Sequence, residues 1–320
     1  MIFGIWPGVV NADLISFQPV DAPAEDPDRT LAALISLQGC AEHFYVRCFR
    51  HFGSGVGDFA NIETTPSRPA IYAGDGRHVD LVCSYQSTVP DPDGFAQFVR
   101  EAVRDLSSWG GGKVQIGEEL NMPAPLDGGS PGCFDAVAAG VEAALDERAR
   151  TGSDVLIGVN AAGLADDAFW QRLAVVLSPT LVDQLDYIGL DFFADVFHPV
   201  PLHKIADATN YVLNTARQRS AAAGFSSATP LHITETGWPT SANRDEATQA
   251  QVLEIVANAV LDSECNVTAY ELFGLRDVRT DGHWQNEWGL LRDDYSPKPS
   301  FDAVCRVFAR HLDSLSSAGG

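Results

Sequence analysis

Positive charge is scarce in this sequence. Lys and Arg together number 21 against 43 Asp and Glu, which gives a formal net charge of -22. Such a chain repels the phosphate backbone of nucleic acids and the surface of anionic membranes, so neither is expected as a partner. The acidity fits a protein that acts on neutral small molecules or polymers.

Cysteine and histidine patterns that bind metals are also missing. The six cysteines include no Cys-x-x-Cys pair, and the eight histidines include no His-x-His pair and no helical His-x-x-x-His spacing. We therefore expect free, buried thiols and a protein that requires no metal and no cofactor. The cysteines are Cys40, Cys48, Cys83, Cys133, Cys265 and Cys305. A metal-dependent barrel hydrolase, which would also gather carboxylates and imidazoles, is the weaker alternative.

Long apolar runs are absent as well. No stretch is long enough to cross a bilayer, and the chain starts with Phe3-Gly4-Ile5-Trp6 almost directly after Met1, without the charged start and cleavage site of a signal peptide. We expect a cytoplasmic protein, or a secreted one if a signal peptide has been removed.

The sequence instead contains short apolar runs that alternate with longer amphipathic stretches from end to end. This alternation is typical of repeated βα units around a parallel sheet. Eight strands are predicted, at Ile2–Ile5, Phe44–Phe49, Val79–Tyr85, Val114–Gly117, Val155–Val159, Tyr187–Phe192, Leu231–Thr234 and Val267–Phe273. Helical spacing of apolar residues marks the segments between them, at 28–42, 95–103, 132–150, 165–177, 203–223, 244–262 and 299–313.

Eight such units predict a single (β/α)8 barrel, an α/β TIM barrel. Its domain would span residues 1–315, followed by a flexible Ser/Ala/Gly tail at 316–320. Residues 51–77, rich in Gly, Pro and Asp, predict a long loop after strand 2 over the active face. An open doubly wound sheet is the alternative, but strand 1 runs into Trp6-Pro7-Gly8 instead of a Gly-rich phosphate loop.

Acidic residues follow two of the predicted strands directly. Glu118 and Glu119 lie at the end of strand 4, and Glu235 lies at the end of strand 7. Carboxyl ends of barrel strands face one another across the mouth. Hydrolysis of a glycosidic bond with retention needs two carboxyl groups about 5–5.5 Å apart. The positions therefore indicate a retaining glycosidase.

Two segments carry a resemblance to a known group of enzymes. Ile233–Thr240, read as ITETGWPT, closely resembles the nucleophile segment of clan A glycoside hydrolases, especially the β-1,3-glucanases of family 17. Val114–Asn121, read as VQIGEELN, resembles the clan's acid/base segment. The resemblance implies a barrel in which Glu119 is the acid/base and Glu235 the nucleophile.

Weaker matches extend this resemblance along the chain. Tyr45-Val46-Arg47 resembles the second-strand segment whose Arg supports the nucleophile, and Trp288–Leu291 resembles the segment after strand 8. The resemblance also implies that substrate-binding residues lie at the strand ends. The candidates are Arg47, Glu118, Asn121, Asp191, Trp238 and Trp288. For Trp6, Trp238, Trp284 and Trp288, stacking on sugar rings and core packing both stay open.

The sequence also departs from the clan pattern. Glu118 stands where the clan has an Asn that hydrogen-bonds the sugar 2-hydroxyl, and Asp191 and Phe193 stand near the usual His and Tyr of strand 6. Glu118 either raises the pKa of Glu119 by its charge or forms a salt bridge with Arg47, Arg50 or a neighbouring loop. These departures favour a divergent family, and they leave open a carbohydrate-binding barrel without catalysis.

Our interpretation is a retaining hydrolase of a β-linked glycoside or oligosaccharide that works by double displacement.

Overall fold

The eight strands form one closed parallel barrel. A computed structural model of the protein describes residues 1–9, 21–53, 66–124 and 127–318, with side chains up to residue 314. The strands follow chain order around the barrel, and β8 pairs with β1 to close it. They are β1 Ile2–Trp6, β2 Phe44–Phe52, β3 Arg77–Tyr85, β4 Gly112–Ile116, β5 Leu156–Ala162, β6 Tyr187–Asp191, β7 Leu231–Thr236 and β8 Val267–Phe273.

Seven helices are described around the strands. They are α1 Pro27–Gln38, α2 Pro92–Ser108, α3 Cys133–Thr151, α4 Phe169–Val182, α5 Ile205–Ala222, α6 Glu246–Leu261 and α7 Pro299–Ala318. Asp26, Asp91 and Asp245 cap α1, α2 and α6 by accepting a hydrogen bond from a backbone N–H of the first turn. None of the described helices combines the length and the apolarity that a membrane span requires.

Crowding inside the barrel selects a glycine on β1. Gly4 pairs with Tyr45 of β2 and Glu271 of β8, and a Cβ at this position would lie 2.7 Å from Cγ of Glu271. Two large side chains therefore fill the interior beside Gly4. The inward side chains make this barrel a packed core whose reactive groups must lie at its open end.

The structure confirms the barrel and the eight strands, and the open doubly wound alternative is wrong because the sheet closes. The loop predicted at 51–77 lies partly outside the described residues, at 54–65. Its described part contains a short 3-10 helix at Pro69–Tyr72. At the other end, α7 continues to Ala318, so it overlaps the start of the predicted tail. The Ser and Ala residues there are compatible with a helix.

The six cysteines all lie within the described residues and are free thiols. Cys48, Cys83, Cys133 and Cys265 are buried, while Cys305 is partly exposed and Cys40 is exposed. The prediction of free thiols is confirmed. Burial is wrong for Cys40, which follows the glycine that ends α1 at the surface.

Candidate active site

Arg47 connects the strands at the mouth of the barrel. Its side chain is fully buried on β2, and Nη1 donates to Oδ2 of Asp80 at 2.6 Å and to Oε1 of Gln115 at 3.2 Å. Nε and Nη2 both donate to Oε1 of Glu235, at 3.2 and 3.1 Å. The predicted contact between Arg47 and Glu235 is therefore present, and two N–H groups of the planar guanidinium donate to one oxygen of the carboxylate.

Glu235 lies near the end of β7, at an irregular point of the sheet. The register between β6 and β7 shifts at Asp191, and the backbone oxygen of Glu235 accepts from the N–H of Phe192 at 3.0 Å. Its side chain is buried. Burial raises the pKa of Glu235, while the charge and hydrogen bonds of Arg47 oppose this rise.

Glu118 faces Glu235 across the mouth. Oε1 of Glu118 lies 3.8 Å from Nη2 of Arg47. One oxygen each of Glu118, Asp191 and Glu235 lie within 4.8 Å of one another. Burial and then the charge of Glu235 raise the pKa of Glu118 well above its usual range. Of the arginines considered for Glu118, Arg47 is therefore the one in contact with it, whereas Arg50 pairs with Asp105 at 2.8 Å.

Glu119 adopts a left-handed backbone conformation, with a φ of 38°. Its N–H donates to Oδ1 of Asn160 at 2.9 Å, and its carbonyl accepts from the N–H of Met122 at 2.7 Å. A non-glycine residue in this region costs energy and persists only where its surroundings hold it. The two hydrogen bonds supply that constraint, and they fix the direction in which the Glu119 side chain leaves the strand end.

Asp127, from the loop after β4, was not recognised in the sequence. Burial followed by the charge of Asp127 raises the pKa of Glu119 well above its usual range. A Cβ at Gly128 would lie 1.8 Å from the carbonyl oxygen of Glu118, so the loop packs directly on the end of β4. The carboxyl that acts most on Glu119 is therefore Asp127, a role that the sequence analysis considered for Glu118.

Asp191 is held by donors from the strands on either side. Nδ2 of Asn160 donates to one oxygen, and Oγ1 of Thr234 donates to the other at 2.5 Å. Because Asn160 also accepts from the N–H of Glu119, the ends of β4, β5, β6 and β7 are linked by side-chain hydrogen bonds. Asn160 and Thr234 are positioning residues that the sequence did not reveal, since both are ordinary inward residues of their strands.

Asn121 lies beside the site but is engaged elsewhere. Nδ2 donates to the carbonyl of Ala162 at 2.8 Å, and Oδ1 accepts from the N–H of Ala162 at 2.9 Å. Both polar atoms of the amide thus fasten the β4 loop to the end of β5. The hydrogen bonds of Asn121 therefore hold the backbone in place and do not point toward a ligand.

Trp238 and Trp288 are buried at the rim of the mouth. Nε1 of Trp238 donates to Oδ2 of Asp195 at 3.2 Å, and Trp288 packs edge-on against Phe193 and Phe273, with ring centroids 5.2 and 5.4 Å away. Of the two possibilities left open by the sequence, stacking on a sugar and packing in the core, these contacts correspond to packing for both rings. Trp6 is also buried and packs on Phe273, whereas Trp284 is partly exposed.

A second polar group lies deeper in the barrel. Lys113 is fully buried, forms an ion pair with Glu271 and lies 3.5 Å from Oδ2 of Asp80. His232 lies 3.5 Å from the same ammonium, as expected for a residue that points into the barrel, and burial lowers its pKa. We call Asp80, Lys113, His232 and Glu271 the deep cluster, and Glu118, Glu119, Asp127, Asp191 and Glu235 the mouth cluster.

The two clusters suit different chemistry. The mouth cluster combines a carboxylate fixed by a guanidinium, Glu235, with a carboxyl group of raised pKa, Glu119, at the open end of the barrel. Such a pair can attack an electron-poor carbon and protonate a leaving oxygen. A divalent cation among Glu118, Asp191 and Glu235 would compete with Arg47, which already donates to Glu235.

No family model matches the chain, and no curated protein matches it. Solved structures do match. The GH5_18 protein of Streptomyces cattleya has 17% identity and a TM-score of 0.62, over 97% of this chain and 80% of that one. A Rhizomucor miehei β-1,3-glucanosyltransferase has 15% identity and a TM-score of 0.56, over 93% and 96%. The GH53 catalytic domain of Ignisphaera aggregans has 14% identity and a TM-score of 0.56, over 94% and 91%. At these identities the likeness shows the fold.

Proposed function

We propose that the protein is a retaining glycoside hydrolase that cleaves a β-linked glycoside or oligosaccharide, with Glu235 as nucleophile and Glu119 as acid/base. The observation that carries this proposal is the pairing of an Arg47-anchored carboxylate with a carboxyl group of raised pKa at the mouth of the barrel. Perturbed groups in such a position are typical of catalytic sites.

The reaction proceeds in two displacements. Glu235 attacks the anomeric carbon as the bond to the leaving oxygen breaks, and Glu119 gives its proton to that oxygen. Glu119, now ionised, then takes a proton from water as the water oxygen attacks the same carbon and the ester to Glu235 breaks. Both carboxyl groups return to their starting states, and no cofactor takes part.

The surrounding residues serve this chemistry by position. Arg47 keeps Glu235 ionised and oriented, and Asn121 holds the loop that carries Glu119. Glu118 and Asp191 face the space beside Glu235, where sugar hydroxyls would bind. Trp238 and Trp288 support the rim by packing.

The structural neighbours support a carbohydrate substrate. The Streptomyces cattleya protein was solved with GlcNAc, and the Rhizomucor miehei enzyme, as an active-site mutant, with laminaritriose. Neutral sugars also suit the acidic chain, which repels anionic polymers. The similarity to family 17 stays a prediction from one motif.

Intact-mass labelling with a panel of 2-deoxy-2-fluoro glycosides tests the proposal, because these reagents trap a glycosyl ester on a retaining nucleophile. We expect a mass increase of one fluoro-sugar in the parent protein, located on Glu235 by peptide mapping and absent in Glu235→Gln. Labelling of another residue would reject the assignment, and no labelling together with no turnover on a broad panel of aryl glycosides and oligosaccharides would reject the activity.

The same panel separates the alternatives. A binding barrel without catalysis would bind oligosaccharides with equal affinity in the parent and in Glu235→Gln, and it would turn over none of them. A metal-dependent hydrolase would lose activity after exhaustive chelation and regain it on addition of a divalent cation. We expect activity that survives chelation.

A further inference from the structure

The group formed by Glu118, Asp191 and Glu235 contains more carboxyl groups than its surroundings can neutralise. All three are buried, and one oxygen of each lies within 4.8 Å of the other two. Among the described residues, the cation in contact with this group is Arg47, which also donates to Asp80 at 2.6 Å. Three buried carboxylates beside one shared guanidinium would be strongly disfavoured, so the group must hold at least one proton.

The separation of Glu118 and Glu235 indicates where a proton lies. One carboxyl oxygen of each lies within 4.8 Å of one oxygen of the other. Two ionised carboxylates at this distance repel each other and have only acceptor atoms, so a hydrogen bond forms between them only when one is protonated. The donor is then either Glu118 or Glu235.

The neighbours of each group decide between these two. Glu235 accepts two hydrogen bonds from Arg47, on Oε1. Glu118 has a longer contact with the same guanidinium, at 3.8 Å. Charged donors favour the ionised form, so the better-supplied Glu235 is the carboxylate and Glu118 is the acid.

The other groups that face Glu118 act in the same direction. They are Glu235 from β7, Asp191 from β6 and Glu119 at the end of β4, each of which opposes a negative charge on Glu118. Arg47 from β2 opposes protonation, and Asp127 from the following loop lies close enough to interact with Glu118. Acidic groups from β6, β7 and the end of β4 thus all oppose ionisation of Glu118.

We infer that Glu118 is protonated in the working enzyme and donates a hydrogen bond to the ionised Glu235, as a positioning residue for that carboxylate. This inference rests on the proposed function for the role of Glu235. A hydrogen bond to the carboxylate orients it for attack and stabilises it again when the glycosyl ester breaks. A neutral acid at position 118 thus supplies a donor without adding charge to the site.

The proton itself is observable without any turnover. Infrared difference spectra between the parent and Glu118→Gln at neutral pH should show the loss of one protonated-carboxyl carbonyl band. Glu147→Gln is the matched control, since Glu147 is buried but ionised by Arg104 and Arg150, with a pKa lowered to about 2. We expect no loss of a protonated band in that control. An unchanged band in Glu118→Gln would overturn the inference, whatever the reaction of the protein is.

Kinetics then test the role. With a dinitrophenyl glycoside, whose leaving group needs no proton, the alkaline limb of kcat/KM should report Glu118 and not Glu119. We expect this limb in the parent and in Glu147→Gln, and we expect Glu118→Gln, which keeps a donor, to shift it upward by at least about one pH unit. Glu118→Ala should lower kcat about 10- to 100-fold, because it removes a hydrogen bond to a charged group.

The outcomes separate two failures. An unshifted limb in Glu118→Gln, or equal activity in Glu118→Ala and the parent, would reject the positioning role. Loss of the infrared band in a protein that no fluoro-sugar labels would leave the proton on Glu118 established and reject the glycosidase. Circular dichroism of each variant confirms that the barrel is folded.

Discussion

The mouth cluster and the deep cluster lie in the same barrel but differ in charge balance. In the deep cluster, Asp80 and Glu271 face Lys113, and Arg47 contributes a further positive group to Asp80. The mouth cluster has five acidic side chains. Among the described residues, its cationic contacts are those of Arg47 with Glu118 and Glu235. Each carboxyl group of the deep cluster therefore has a cationic partner, although burial still raises the pKa of Glu271 to about 8, whereas most carboxyl groups of the mouth cluster lack such a partner and the cluster has to bind protons.

This difference separates stability from function within one core. Removal of one partner from a buried ion pair leaves an uncompensated charge and destabilises the fold. Buried carboxyl groups without a cationic partner have a raised pKa, which suits an acid in catalysis. Arg47 belongs to both, because it holds Asp80 below and Glu235 above. Variants in the mouth cluster should therefore lose activity and keep their stability, whereas variants in the deep cluster should lose stability and keep most of their activity.

The largest effect is expected from Glu235→Gln. Loss of the proposed nucleophile should lower kcat by about 10⁴-fold or more, whereas the amide oxygen can still accept from Arg47, so the melting temperature should stay close to that of the parent. Kinetics with an aryl glycoside and thermal unfolding check both parts. A variant that retains most of its activity would remove Glu235 from the mechanism.

Lys113→Met should produce the reverse profile. Removal of the ammonium leaves Glu271 and Asp80 buried without this partner, and such a loss typically costs about 3–5 kcal/mol of unfolding free energy. The activity per folded molecule should change far less than in Glu235→Gln. Urea unfolding and active-site titration measure the two quantities, and the double variant Lys113→Met, Glu271→Gln should recover part of the stability.

The elements of this comparison were predictable to different degrees. Glu235 could be placed from the sequence because it directly follows an apolar strand whose carboxyl end faces the mouth, and Arg47 because its segment resembles the second-strand segment of clan A. Asp127 could not, since its approach to Glu119 depends on how a Gly- and Pro-rich loop folds back over β4. Asp127 follows Glu119 by eight residues, and this spacing does not indicate that the two side chains interact.

The contacts of polar residues inside the strands were also not predictable from the sequence. Asn160 and Thr234 join Asp191 and the backbone of Glu119 only because β5, β6 and β7 are neighbours with a particular register. Trp238 shows the same limit, because a tryptophan after a strand can stack on a ligand or pack in the rim, and its partner Asp195 comes from another loop. Spatial register, which composition and spacing do not encode, decides such cases.

Asp127→Asn tests the mouth cluster more finely. The charge of Asp127 raises the pKa of Glu119, so its removal should let Glu119 ionise at lower pH. The alkaline limb for a poor leaving group, which needs a protonated Glu119, should therefore move down by about one pH unit. The limb for a dinitrophenyl glycoside should move less. An upward shift of the first limb would contradict the assignment of Glu119 as the acid.

The smallest effect is expected from Glu147→Gln, on a helix outside the barrel strands. Glu147 of α3 accepts from Nε of Arg104 at 2.7 Å and from Arg150, and its pKa is lowered from 4.5 to about 2 by the hydrogen bonds of Arg150 and then Arg104. Both arginine side chains are partly exposed to solvent, which screens the pair, so the loss in melting temperature should be small.

The pH dependence of that small loss distinguishes this site from the mouth cluster. Above about pH 4.5 the Glu147 carboxyl is ionised in the folded and unfolded chain, so its full stabilisation is present; it disappears as the pH falls toward 2, where the folded form also binds the proton. The difference between parent and Glu147→Gln should therefore shrink on acidification. For Glu118→Gln the sign reverses: because the folded pKa is raised, ionisation of Glu118 destabilises the parent as the pH rises, and the variant gains relative to it. Melting temperatures measured from acid to alkaline pH give the stability difference between each variant and the parent. If this difference changed in the same direction with pH for both variants, the two carboxyl groups would be in equivalent environments.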